Sequence, residues 1–120
     1  MLCDVTRWRV QASNSKKHME LWRAIMQHQR DNRQKVYYKR SRFYTMVDSE
    51  SSEEHWMFID EYENREEFDR TYKAFNDQPD LPYSDDPAKA AQMREEKRSL
   101  TVPGSMKKEL WIERPELAVE

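Results

Sequence analysis

The run Trp56-Met57-Phe58-Ile59 is apolar on both parities of an extended strand. Successive side chains of a strand point to opposite faces, so such a run places nonpolar groups on both sides of its sheet. A sheet with one wet face reads instead as alternation. Leu110-Trp111-Ile112 repeats the pattern near the end of the chain. One face of these strands meets helices, and the other needs a cover that no spare element of the chain supplies. The sequence therefore predicts a sheet sheltered by a second copy of itself, in a homodimer.

The patterns around these runs give an order of elements. Val5 to Ala12 reads as a strand with Thr6, Trp8 and Val10 on one face. Lys16 to about Arg33 is helical, with a stripe of Met19, Trp22 and Met26 flanked by Leu21, Ile25 and His28. Val36 to Asp48, rich in Tyr, Phe and Val, reads as a long strand. The acidic stretch from Asp48 to Glu54 is expected as a hairpin loop, followed by a strand over His55 to Glu63. Asn64 with Glu67 three residues on is a capping box, which opens a helix burying Phe68, Tyr72 and Phe75. Asn76 to Asp86 is a loop; Asp86-Pro87 then starts a third helix with Ala90, Met93 and Leu100 inward. A turn at Pro103-Gly104 leads into a last strand, Met106 to Glu113. This is an α+β chain of order β-α-β-β-α-(α)-β, a ferredoxin-like unit with a four-stranded antiparallel sheet. Two such sheets would face each other across the homodimer.

At 120 residues the chain is one domain, 1–120. Charged residues make up 37% of it, a share that in an aromatic-poor chain would mean disorder. Here four Trp, six Tyr and four Phe supply a compact core of large side chains under charged helix surfaces. The one glycine, Gly104, excludes Walker and dinucleotide loops, which need several glycines so that backbone amides can approach phosphate. The single Cys3, expected in a loose N-terminal end, cannot form an internal disulfide, and this suits a reducing, cytoplasmic setting. No apolar stretch approaches the roughly 18–20 residues that span a bilayer. A net charge of −2 gives no global field toward nucleic acid or anionic lipid.

The segment from His55 to Phe68 (HWMFIDEYENREEF), the first helix with Trp22 and the late helix running into Leu110-Trp111-Ile112 resemble the dimeric α/β-barrel superfamily. Within it they resemble the NIPSNAP-like and antibiotic-biosynthesis-monooxygenase-like branches. The resemblance implies two sheets facing each other across a dimer and a small-molecule pocket between helices and sheet. Its members include monooxygenases without metal or flavin, haem-handling enzymes, cyclases, isomerases and proteins without known activity, so fold does not choose among them.

The expected function is therefore binding of a small aromatic or polyketide-like molecule, with cofactor-independent monooxygenation or isomerisation as the candidate chemistry. Trp22 and Tyr72 would shape the cavity, and His18, His55 or Tyr44 would handle the proton, as general base or, for a histidine, as haem ligand. The plainer reading of the same residues comes first: core for the aromatics, and partly exposed surface without a role for the histidines. No histidine pair has metal-ligand spacing, so no metal is expected, and no cofactor beyond the haem alternative. A non-catalytic dimeric assembly module is the second reading. The third is an RNA-recognition-like binder, suggested by the basic and aromatic residues of Lys35 to Tyr44. Against it, the strand signature of that family is missing, and Asp60 and Glu61 stand where phosphate would approach. Arg40 and Arg42 are expected instead to meet carboxylates of the partner subunit. The loop from Asn76 to Asp86 is a candidate lid.

Overall fold

A computed structural model describes residues 1–46 and 51–120. The elements run β1 (Leu2–Gln11), α1 (Ser15–Asp31), β2 (Arg40–Thr45), β3 (Glu53–Tyr62), α2 (Arg65–Asp77), α3 (Pro87–Leu100) and β4 (Lys107–Ile112). The four strands form one antiparallel sheet in the order β2-β3-β1-β4. Each helical crossover therefore skips one strand, which is the ferredoxin-like arrangement.

The sheet has two chemically different faces, fixed by register. On the inner face Trp8 lies opposite Trp56, Thr6 opposite Phe58 and Asp4 opposite Asp60. Phe43 of β2 extends the Phe58 row, and the two rings stack 4.3 Å apart. Trp22 of α1 sits over this face, 5.6 Å from Trp8 and 5.1 Å from Phe43 between ring centroids. The outer face carries the rows Tyr44–Met57–Arg7–Lys107, Arg42–Ile59–Val5–Glu109 and Arg40–Glu61–Cys3–Trp111.

α1 is amphipathic, but its buried stripe is His18, Leu21, Ile25 and Gln29. The expected stripe through Met19 is rotated: Met19 is exposed, and Trp22 and Met26 are half-buried at the edge. Large aromatic rings explain the shift, because Trp22 reaches the sheet sideways and leaves the centre line to smaller groups. Leu21 and Ile25 pack on Met93 and Leu100 of α3, which with Ala90 form that helix's buried side as the spacing predicts. Asn64 caps α2 by accepting from the Glu67 amide at 3.0 Å. The reciprocal half of the expected box is not formed: the Glu67 carboxylate accepts from Arg70 instead.

Three further expectations are corrected. The strand read from Val36 begins only at Arg40. The Arg33 guanidinium takes the carbonyls of Val36, Tyr38 and Lys39 as acceptors, and the Thr71 hydroxyl accepts from the Tyr37 amide. Val36 and Tyr38 are consequently held against Tyr62 and Phe68, not in the ladder. Cys3 is not in a loose end but within β1, between Glu61 and Trp111. Glu53 and Glu54, expected in the hairpin loop, already belong to β3; residues 47–50 of that loop lie outside the described residues.

Candidate functional site

The cavity between helices and sheet measures about 280 Å³, near the lower end of ligand pockets. Asp4, Thr6, Phe58 and Asp60 form its floor; Trp22, Tyr72 and Lys97 stand on the helix side. Pro82 and Tyr83, from the segment between α2 and α3, also line it. That segment is tied down from two helices. A His28 ring nitrogen lies 3.0 Å from the Leu81 carbonyl oxygen, Gln29 donates to the Pro82 carbonyl, and Arg94 pairs with Asp80.

Two carboxylates in an apolar wall distinguish this cavity. Asp4 and Asp60 face each other in register across β1 and β3, on the parity otherwise used by Thr6, Trp8, Trp56 and Phe58. Directly opposed strand residues bring their Cβ atoms to about 4.5–5.5 Å. Asp60 is 8% exposed. Burial is the main cause that raises its pKa to about 7, and the Asp4 charge adds to the effect, while a hydrogen bond from the Ser41 hydroxyl opposes it. Burial also raises Asp4, against the nearby Lys108 charge and a hydrogen bond from the Tyr72 hydroxyl at 3.3 Å. Tyr72 is pushed up to about 12, by burial first and then by Asp4, so it is a hydrogen-bond donor at neutral pH. Two neighbouring carboxyls in such a site do not both ionise readily, which keeps a proton available near pH 7.

Of the residues singled out from sequence, Trp22 and Tyr72 stand together on the cavity wall. His18 is fully buried behind them, where the Trp8 indole N–H donates to its Nε2 at 2.9 Å and its ring lies 4.5 Å from that of Trp56. Burial lowers its pKa to about 4, so it is neutral; Nδ1 carries the proton and finds no acceptor among the described residues. His55 and Tyr44 are on the other side of the sheet, in an open groove of about 630 Å³ with Arg7, Arg9 and Lys107. The five residues thus divide between two faces of the sheet. Arg40 and Arg42 pair with Glu61 of their own chain. Among the described residues no three His, Cys, Asp or Glu side chains converge as a metal site. No helix of those residues is long and apolar enough to cross a membrane.

Sequence reading passed over Asp4 and Asp60 as catalytic candidates. The available signal was parity: a carboxylate at an inward position beside aromatic or aliphatic ones, Phe58 and Tyr62 flanking Asp60 and Leu2 preceding Asp4.

No family model and no curated protein sequence matches the chain. Solved structures do. An antibiotic biosynthesis monooxygenase superposes with a TM-score of 0.58 at 14% identity, over 96% of this chain and 100% of the other. A Deinococcus radiodurans protein assigned to the same class gives 0.58 at 10% identity, over 100% and 99%. SnoaB, a cofactor-independent oxygenase from Streptomyces nogalater, gives 0.51 at 12% identity, over 94% and 92%. Over nearly its whole length, then, the chain has the ferredoxin-like fold of these monooxygenase structures.

Proposed function

We propose that the chain binds a small planar molecule in the cavity between helices and sheet and removes an acidic proton from it, as a cofactor-independent monooxygenase or isomerase would. The observation that carries this reading is Asp60, a carboxyl buried in an aromatic wall and poised near neutrality. A base is most effective when its pKa lies near the working pH. The shared fold with a cofactor-independent oxygenase supports the reaction class.

In the oxygenase form, ionised Asp60 takes a C–H proton activated by an adjacent carbonyl, and the Tyr72 hydroxyl turns from Asp4 to donate to the oxygen that gains charge. The carbanion is oxidised by dioxygen to a hydroperoxide, which loses water and leaves a new carbonyl; one oxygen atom stays in the product and one leaves in water. In the isomerase form the proton returns at a different carbon. Dithranol, an anthrone, is a suitable probe. Its protein-dependent oxygen uptake should rise with pH through about 7, where Asp60 ionises. Asp60→Asn should lower the rate by about 10²-fold or more. An unchanged rate in Asp60→Asn would remove the reading.

His18, buried and neutral, would act in this scheme only by positioning Trp8 and Trp22. Tyr44 and His55 would meet only a ligand held against the outer face. That face carries Val5, Met57, Ile59 and a 54% exposed Trp111, and a second copy is the proposed cover. Sedimentation should find a dimer, converted to single chains by Trp111→Glu. A wild-type chain that sediments as a monomer at micromolar concentration would remove the dimer.

A further inference from the structure

The two walls of the cavity carry polar groups of opposite character: carboxyls on the sheet and a cation on the helices. We propose that the ligand itself bears an acidic group, a carboxylate, enol or phenol, whose anion is held by the Lys97 ammonium. This rests on the cavity being the ligand site.

Of the helix cations without a carboxylate within 4.0 Å among the described residues, Lys97 is the one that lines the cavity; Lys16, Lys17, Arg23, Arg30 and Lys89 do not. Arg65, Arg70 and Lys73 of α2 each pair with a carboxylate, as do Arg94 and Arg98 of α3. Lys97 has no carboxylate within 4.0 Å among the described residues, although it is only partly exposed and lines the cavity. Its Nζ donates to the Tyr83 hydroxyl and lies 5.0 Å from the Tyr83 ring centroid and 5.8 Å from that of Trp22. An ammonium has three donors and no acceptor, so two remain for an anion. The flanking rings hold the cation while excluding water, and a charge-assisted hydrogen bond is stronger in such surroundings. The Trp22 indole N–H, buried and without an acceptor among the described residues, offers a further donor on the same wall. Lys108, the other cation of the cavity, is exposed and faces Asp4 and Tyr72, so it serves the carboxyl side. A ligand lying between the walls loses its proton toward Asp60 while its negative charge develops beside Lys97.

The test is calorimetric, at pH 6, where Asp60 holds its proton. It compares 2-naphthoate with its neutral isostere 2-naphthamide. Wild type should bind the carboxylate roughly tenfold more tightly, the worth of one charge-assisted hydrogen bond. Lys97→Gln should abolish the preference without weakening naphthamide, and Lys97→Arg should keep it. Equal binding of both probes by wild type, or a preference that survives in Lys97→Gln, overturns the assignment of Lys97 and leaves the cavity as ligand site. If neither probe binds, the cavity reading fails and this inference with it.

Discussion

Asp60→Asn should make the protein more stable at pH 8, by up to about 4 kcal/mol, while taking away its proposed activity. The sign follows from the direction of the shift. The folded-state pKa of Asp60 is about 7 against an ordinary 3.8, so the folded protein holds that proton more tightly than the unfolded chain. Its favourable contribution is complete below pH 3.8, is lost as pH rises from there to 7, and is absent above. Asparagine keeps an acceptor for the Ser41 hydroxyl and never ionises. Between pH 5 and pH 8 the stability gap between variant and wild type should therefore widen by roughly 2–3 kcal/mol in urea denaturation. A gap independent of pH would show that Asp60 titrates normally, and the proposed base would lose its physical footing. A group that costs stability where it works is what a catalytic carboxyl looks like in an apolar wall.

The second large effect is expected at His18. His18→Ala should cost about 2–4 kcal/mol at pH 7, from the space it empties and from the Trp8 indole N–H left unpaired. Here the linkage runs the other way. Burial lowers the folded-state pKa to about 4 from 6.5, so stability is fully present above 6.5 and is lost as pH falls through 4. The wild type alone carries that loss. The gap between wild type and His18→Ala should then shrink by roughly 2–3 kcal/mol between pH 7 and pH 4.5. Urea denaturation followed by tryptophan fluorescence measures it, and a constant gap would mean that His18 titrates in the fold as it does in the unfolded chain. In the wild type the two buried groups oppose each other between pH 4 and 6.5. Its acid profile is therefore expected to be flat there, with each slope revealed only when the other group is replaced.

The fold was legible where side-chain periodicity and backbone signals agreed. Asp86-Pro87, Asn64 and the spacing of Ala90, Met93 and Leu100 each name a helix start or face through a local interaction, and each holds. The start of β2 was not legible, because Val36 and Tyr38 have strand character. What removes them from the ladder is Arg33, whose guanidinium claims their carbonyls from two residues past the end of α1. Within Trp56-Met57-Phe58-Ile59 the even residues meet helices and the odd ones the outer face, as two-sided apolarity requires. β4 differs: Leu110 and Ile112 stay exposed at the sheet's rim despite their inward parity. For the site, size and aromaticity brought out Trp22 and Tyr72. Asp4 and Asp60 are 56 positions apart in sequence, and only the β1–β3 register makes them neighbours.

The sheet also has a lateral consequence. Its central strands span ten residues each, but both outermost strands stop at six. Arg40 and Arg42 stud one margin, and Lys107, Lys108 and Glu109 the other. A foreign strand docking alongside would find few open amides and a row of charge, conditions that discourage fibril-like stacking. Growth in the plane of the sheet is thus disfavoured on both flanks.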